Sequence, residues 1–442
     1  MEMNERASGE LRELNIYPGF TEMAAGSALV CAGKTRVLCT ASVQEGVPPF
    51  LRDTGRGWLT AEYAMLPGST PQRKARDGVK KDGRGVEIGR LIGRSLRAAC
   101  DLTRLGERTI YIDCDVLQAD GGTRTAAVTG GFVALCLAVQ KLLDEGRIVD
   151  SPVVRQVAAV SVGIVKGAPT LDLDYALDSR AEADVNVVMT RQDGEMAYAE
   201  VQGTGEGRPY RREELDALLD LAQAGVERLM GKQLEALGEA AGVIGRKPVL
   251  VLATGNFGKV KELRAMLGGR FDVRSMREMG AEMDVEETGE TFEENALIKA
   301  EALMRATGCA ALADDSGLMV DALGGRPGVY SARYCGVHGD DEANNQLLLK
   351  ELENVPEPRT ARYAAAVALC RPGLEPLVTY GTCEGEILRE YRGEGGFGYD
   401  PLFFSDDLQM TLAEAAPEAK NAISHRARAV EKLLKLLEGE DA

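Results

Sequence analysis

Residues 248–267, PVLVLATGNFGKVKELRAML, hold a short apolar run, a glycine-containing turn and apolar residues that return at helical spacing from Lys259 to Leu267. This predicts a buried strand, a turn and a helix. Such a unit presents backbone N–H groups and the positive end of a helix to an anion, and Lys259 adds a point charge. Many βα turns carry glycine for geometry alone, so the turn takes its meaning from its surroundings. Downstream, Thr291 and Glu294 form a capping box for a helix running FEENALIKAEALMRA, with Asn295 and Lys299 one turn apart on one face. CAALA, residues 309–313, reads as a strand that delivers Asp314 and Asp315 to its end.

Upstream, the apolar β-branched stretches 157–165 and 185–190 alternate with helical patterns at 127–143 and 212–237, so the whole chain reads as mixed α/β. Between the halves, GEAAGVIGRKP at 238–248 is small, glycine-rich and ends at proline. That composition predicts a flexible linker at 241–247 between a domain at 1–240 and another at 248–442. No period of repeat length is present, so two different units are joined.

Composition narrows the classes. With 45% hydrophobic and 27% charged residues the chain has ordinary globular usage. No apolar run nears the roughly 18 residues that span a bilayer and the start is charged, so a cytosolic protein without membrane contact is expected. The nine cysteines (31, 39, 100, 114, 136, 309, 335, 370, 383) form no CxxC pair, which predicts thiols rather than disulfides. With two histidines and no CxxC pair, a zinc site is not expected. A net charge of -17 argues against general polyanion binding. The exception is local. QRKARDGVKKDGRGVEIGRLIGRSLR, 72–97, is mainly basic, with nine Lys and Arg against three Asp and Glu, and Ile88, Leu91, Ile92 and Leu96 at helical spacing leave Arg90, Arg94 and Arg97 on another face.

Two segments carry phosphate chemistry in the first half. In GGTRT, 121–125, glycines let the backbone approach an oxyanion, Thr123 offers a hydroxyl and Arg124 a planar fork. In YALDSRAEADVNVVMT, 175–190, Asp178 and Asp184 suit Mg²⁺ or general-acid work. The alternative for such a pair is a turn or cap.

GWLTAEYAMLP, EIGRLIGRSLRA, IDCDVLQADGGTRTAA, VSVGIV and EVQGTGEG, in that order, resemble ribonuclease PH across residues 1–240. The resemblance implies a ribosomal-S5-like βαβ fold and a phosphorolytic tRNA nucleotidyltransferase that trims tRNA 3′ ends with inorganic phosphate and releases nucleoside diphosphates. It implies phosphate binding by Arg84, Gly122, Thr123 and Arg124, metal-linked catalytic acids at Asp178 and Asp184, and RNA guidance by Arg73, Lys74 and Arg76. It also implies a homohexameric ring of dimers. The chain departs from the family at Leu177, where an acidic residue is usual. That departure is the support for a rival reading, a non-catalytic RNA-binding ring, against which Arg84, Arg124, Asp178 and Asp184 stand.

In the second half, Glu286, Glu287, Asp314 and Asp315 could hold Mg²⁺ beside a triphosphate while one carboxylate activates water. GGFGYDP, 395–401, offers Phe397 and Tyr399 for base stacking or for the core, and Asp400 as an acceptor. Lys420, His425 and Arg426 add a cation and donors, while His338 reads as a surface-loop residue. TGNFGK, EETGETFEENA, ADDSGL, PGVYSARY, GFGYDPLF and SHRARA closely resemble the inosine triphosphate pyrophosphatase family over 248–442. This implies an elongated two-lobed α/β fold that hydrolyses ITP, dITP and XTP to monophosphate and pyrophosphate with Mg²⁺. By the same resemblance, substrate is bound by Thr254, Gly255, Asn256, Phe257, Gly258, Lys259, Ser316, Phe397, Gly398, Tyr399, Asp400, Lys420, His425 and Arg426. Metal falls to Glu286 and Asp315, with Asp315 also the proton acceptor.

Overall fold

QVAAVSVGIV, Gln156–Val165, is buried at every position but its last, which requires cover on both faces of its sheet. Two helices provide that cover. The structure, a computed structural model, describes residues 6–76 and 82–441, without the side chains of residues 417, 418, 421, 440 and 441. It divides into two units, Met1–Arg246 and Lys247–Ala442, each mixed α/β.

In the first unit β1 (Leu14–Pro18), β2 (Gly26–Ala32), β3 (Thr35–Glu45), β4 (Trp58–Met65) and β5 (Arg108–Gln118) form a sheet ordered β1-β2-β3-β5-β4. A second sheet, β7-β6-β8-β9, contains β6 (Gln156–Val165), β7 (Ala168–Leu171), β8 (Ala183–Gln192) and β9 (Glu195–Gly205). The helices are α1 (Gly83–Arg97), α2 (Thr123–Asp144), α3 (Tyr175–Asp178) and α4 (Arg212–Leu237). Alternation along β6 sorts its two faces. Val157 and Ala159 join Phe132, Leu135 and Val139 of α2 in a core shared with the first sheet. Ala158, Val160 and Val162 pack with Leu218, Ala222 and Val226 of α4.

Two sequence expectations need correction here. By length and composition α2 is apolar enough to cross a membrane, although no such run was expected. Its small residues (Ala127, Gly130, Gly131, Ala134, Ala138) leave it apolar all round, and it is mostly buried inside the fold, as befits a core helix between two sheets. The linker expected at 241–247 is not a free tether. Gly238–Val243 is a 3-10 turn, Val243 is buried, and Ala240, Ala241 and Ile244 pack on the core of the first unit. The segment is small but apolar, and it gains by burial what a Gly/Ser tether would keep as entropy.

In the second unit β10 (Val249–Leu252), β11 (Asp272–Ser275), β12 (Ala310–Val320), β13 (Thr360–Cys370), β14 (Leu377–Ile387), β15 (Phe403–Ser405) and β16 (Met410–Thr411) make one sheet. Its order is β11-β10-β12-β13-β14-β15-β16, with the first three parallel and the rest antiparallel. Its helices are α5 (Phe257–Leu267), α6 (Phe292–Thr307), α7 (Asp341–Glu351), α8 (Pro417–Ile423) and α9 (His425–Asp441). One face of the sheet is covered by α6 through Phe292, Ala296 and Ala300, the other by α5 and α9 through Val260, Leu263, Val430 and Leu433. A separate apolar centre, with Leu318, Val320, Leu348 of α7, Tyr399 and Phe403, gathers around the far half of β12.

The strand expected to end at Ala313 runs on to Val320. DDSG has poor strand propensity, but β13 pairs with β12 from Ala311 through to Val320. The parallel neighbour β10 pairs only with Ala310–Leu312. Asp314 and Asp315 thus lie within a strand yet beyond the end of its parallel partner, where α/β sheets open a crevice.

Candidate active sites

In the first unit, Gly122 takes a left-handed φ of 61° as the N-cap of α2, so the unpaired amides of the first helical turn begin at the phosphate-binding candidates. Thr123 Oγ1 lies 2.8 Å from the Tyr63 hydroxyl. Arg124 donates to Gln202 Oε1 at 2.9 Å and faces Glu87 at 3.7 Å, while Gln202 donates to Glu87 at 2.9 Å. Asp178 closes α3 and Asp184 lies on β8, hydrogen-bonded at 3.4 Å by Asn186. Burial raises the pKa of Asp178, Glu206 adds to the rise, and Arg124 and Arg84 oppose it. Burial and the neighbouring Asp178 push Asp184 up to about 6, against the pull of Arg124. Arg84, Arg124, Asp178 and Asp184 therefore share one electrostatic neighbourhood. Arg73 and Arg76 are exposed, whereas Lys74 is tied at 2.9 Å to Asp82, the N-cap of α1. The remainder of the basic loop, 77–81, lies outside the described residues. Of the α1 arginines, Arg94 pairs with Glu200 at 2.6 Å and Arg97 lies over Trp58 at 4.7 Å.

The raised pKa of Asp184 has a thermodynamic sign. Its folded value of about 6 exceeds the ordinary aspartate value of 3.8, so stability that is complete below pH ~4 is lost as pH rises through about 6, by up to about 3 kcal/mol. Asp184→Asn is therefore expected to raise the thermal midpoint of the first unit at pH 8 and to leave it nearly unchanged at pH 4. Calorimetry at the two pH values checks this, and an equal shift at both would contradict it.

In the second unit Asp314 and Asp315, adjacent on β12, point to opposite faces and acquire opposite characters. Burial alone would raise Asp314, but Lys259 Nζ and Arg426 Nε, each 2.9 Å from Oδ2, outweigh it and hold the carboxyl well below the usual range. Burial raises Asp315, and Glu287 adds to that against the opposing charge of Lys299. Lys299 Nζ lies 3.2 Å from Asp315 Oδ1 and 2.9 Å from Glu287, and Asn295 donates to Asp315 Oδ2 at 3.2 Å. Asn295 and Lys299 of α6 thus meet on one group, as their spacing predicts, and that group is the catalytic candidate. Their environments thus drive the two carboxyls apart, Asp314 toward a fixed anion and Asp315 toward a group that takes up a proton more readily. Asp314, grouped by sequence with the metal candidates, is instead taken up by two cations.

Asn256 caps α5, accepting the N–H groups of Gly258 and Lys259 at 2.8 and 3.2 Å, and its own N–H donates to Thr254 Oγ1 at 3.2 Å. Gly255 is exposed beside it, Phe257 is 82% exposed, and Ser316 follows Asp315 half-buried. The aromatics of GGFGYDP divide. Phe397 is 71% exposed with Lys420 Nζ 4.6 Å above its ring. Tyr399 is 4% exposed and donates to the Ser331 carbonyl at 2.8 Å, so its side chain belongs to the core rather than to base stacking. Asp400 accepts the Phe397 N–H at 2.8 Å and contacts Lys420, while Gly398 N–H donates to Asp341 at 2.7 Å. His425 stacks on Tyr363 with ring centroids 5.2 Å apart. Burial, then the Arg426 charge, pushes its pKa down to about 3, so the imidazole is neutral at pH 7. Arg426 Nη1 donates to Glu262 at 3.0 Å. Glu286 is exposed, and His338 is an exposed residue, as expected.

Sequence reasoning missed Tyr63, Glu87, Gln202, Glu206 and Glu262 as site residues. Glu262 had a signal, since it stands three residues from Lys259 on α5 and faces the same way. The others sit inside recognisable motifs, but only the tertiary fold shows what they meet. Both sites offer oxygen donors, which suit Mg²⁺. Among the described residues no three His, Cys, Asp or Glu side chains cluster tightly enough to hold an ion alone, so the fit is to an ion completed by substrate phosphate and water. Asp315 with Glu286 or Glu287, and Asp178 with Asp184, are the protein donors available.

Fold and candidate sites together define a protein of two different α/β units, each with a carboxylate site of its own. Family models bear this out: the 3′ exoribonuclease family, domain 1, matches residues 10–140 and its domain 2 matches 155–225, while the Ham1 family matches 250–436. The chain belongs to the Ham1 family in its C-terminal unit and carries both ribonuclease-PH-type domains in its N-terminal unit, a fusion of the two. It is 43% identical to the Ham1 protein of Staphylococcus aureus, covering 43% of this chain and 99% of that one with a TM-score of 0.41. A nucleoside-triphosphatase / dITP/XTP pyrophosphatase from Mycobacterium abscessus is 45% identical over 42% of this chain and 98% of its own, with a TM-score of 0.38. A chain of the Archaeoglobus fulgidus exosome with RNA bound to the active site is 24% identical over 51% of this chain and 90% of its own, at a TM-score of 0.45, a likeness too distant to bear on function.

Proposed function

We propose that the chain is a bifunctional enzyme: a phosphorolytic 3′–5′ exoribonuclease acting on tRNA 3′ ends, and a pyrophosphatase acting on ITP, dITP and XTP. One observation carries both halves. In each site, cations suited to phosphate stand beside a carboxylate whose pKa burial has raised: Arg84 and Arg124 beside Asp178 and Asp184, Lys299 beside Asp315, with Lys259 on the neighbouring Asp314.

In the first site Arg84, Arg124, Thr123 and the amides after Gly122 bind and orient inorganic phosphate for attack on the last phosphodiester. Asp184, protonated more readily than an ordinary carboxyl, gives its proton to the departing 3′ oxygen. Arg73 and Arg76 guide the RNA strand, beside Lys74, which is paired with Asp82. A homohexamer built as a ring of dimers through this unit is the assembly that accompanies this reading.

In the second site the TGNFGK turn and Lys259 take the triphosphate, Asp315 accepts a proton from the attacking water, and Asp314 holds Lys259 and Arg426 in place. Mg²⁺, when bound by Asp315 and Glu286, supplies charge neutralisation at the phosphates. Phe397 stacks on the base. Neutral His425 offers one N–H toward a 6-oxo group, which a 6-amino purine would leave unpaired.

Incubation with ITP and Mg²⁺ tests the second assignment directly: IMP and pyrophosphate are expected, and IDP with phosphate would contradict it. The aromatic assignment has its own test. Phe397→Ala is expected to raise KM for ITP about tenfold, the loss of one stacked base being worth ~1–3 kcal/mol, with the melting temperature unchanged. Tyr399→Ala should instead destabilise the unit by ~3 kcal/mol or more. Equal effects of the two substitutions on KM and melting would refute the division of roles.

A further inference from the structure

A buried ion pair joins the N-terminal segment to the first site. Arg12 donates through Nη1 to the carbonyls of Asp120 at 2.7 Å and Gly121 at 3.4 Å. Thr35 holds the same turn from another side, donating to the Gly121 carbonyl at 2.7 Å and accepting the Asp120 N–H at 3.1 Å. This turn leads directly into Gly122, Thr123 and Arg124.

Arg12 is itself gripped by Asp172. Nη2 lies 2.6 Å from Oδ1, Nε lies 3.1 Å from Oδ2, and the backbone N–H of Arg12 adds a bond of 2.8 Å to Oδ2. The two side chains are only 9% and 11% exposed. Arg6 adds a contact of 3.3 Å to Oδ2 of Asp172 and bonds to the Leu171 and Asp172 carbonyls. Asp172 has φ 55°, a conformation that a non-glycine residue keeps when its surroundings impose it. It stands at the approach to α3, the helix that carries Asp178.

The turn and the acidic segment are also pressed together directly. Gly121 has φ 73°, and a Cβ there would lie 2.6 Å from both the Asp174 carbonyl carbon and the Leu173 carbonyl oxygen, and 2.8 Å from Tyr175 N. No side chain fits between the phosphate turn and the segment leading to the acids. One guanidinium spans both.

We propose that Arg12, oriented by Asp172, is a positioning residue that sets the phosphate-binding turn at Gly122–Arg124 against the acidic segment ending at Asp178. The proposal rests on reading the first site as phosphorolytic. Its chemistry requires a guanidinium rather than any positive charge: the planar fork meets the carboxylate with two nitrogens and leaves Nη1 for the carbonyls, which a single ammonium cannot do.

The test measures inorganic phosphate binding to the full chain by calorimetry, alongside phosphorolysis kinetics and thermal melting. Arg12→Lys, which keeps the charge, and Thr35→Val, which loosens the same turn and removes a 3.4 Å bond from Arg12 Nη1 while leaving the contacts between Arg12 and Asp172 in place, are each expected to weaken phosphate binding and raise KM for phosphate about tenfold. The rate at saturating phosphate should fall much less, and melting should stay cooperative. A lowered melting temperature with phosphate affinity equal to that of the parent would overturn the proposal and leave the ion pair a stabilising role alone. If the parent protein itself bound no phosphate and released no nucleoside diphosphate, the phosphorolytic reading would fall first, and the positioning role with it.

Discussion

Replacement of Arg124 by alanine is expected to lower RNA shortening by about 10²- to 10³-fold, the loss that follows removal of one donor from a preorganised oxyanion site. ITP hydrolysis should be untouched, because its residues all belong to the other unit. The side chain is a clean target. It is 20% exposed, held by Gln202 and Glu87 at the edge of the site, and its ion-pair partner Glu87 is 46% exposed, although Asp178 and Asp184 lose its opposing charge as well. Arg124→Lys should recover only part of the loss, since an ammonium cannot grip two phosphate oxygens at once. Phosphorolysis by Arg124→Ala within a few-fold of the parent would remove this residue from the mechanism.

Asp315→Asn is expected to lower ITP hydrolysis by about 10²- to 10⁴-fold, the range assigned to a general base. Asparagine keeps the size of the side chain and can still accept from Lys299, so the fold should survive. What it loses is the capacity to take a proton. KM for ITP should change little, because Lys259 and the TGNFGK turn remain in place. A variant with near-normal turnover would assign the base elsewhere, with Glu287, which shares Lys299 with Asp315, as the next group to test. RNA shortening by this variant should match that of the parent.

Much of this architecture was legible in the chain because its signals are local. The helix at Arg212–Leu237 follows its apolar stripe to the residue, and the capping box at Thr291 and Glu294 forms as written. Errors arose where tertiary pairing overrides local preference. β12 continues through DDSG because β13 offers a complete ladder, and the supposed tether at 238–248 folds onto a core that the sequence does not display.

In the candidate sites, residue types were legible but their allegiances were not. Asp314 and Asp315 look equivalent in sequence, and only the strand's alternation gives one to Lys259 and Arg426 and the other to Lys299 and Asn295. Phe397 and Tyr399 likewise part company through burial. Glu206, far from Asp178 in sequence, acts on both Asp178 and Asp184.

The account of two independent centres in one chain is tested most directly by supplying radiolabelled inorganic phosphate with a tRNA bearing extra 3′ nucleotides, to the parent protein and to Asp315→Asn in parallel. Both proteins are predicted to place the label in the β-phosphate of released nucleoside diphosphates, at equal rates. Unlabelled nucleoside monophosphates would show that water is the attacking group, and loss of labelled product in Asp315→Asn would show that the two centres are not separate.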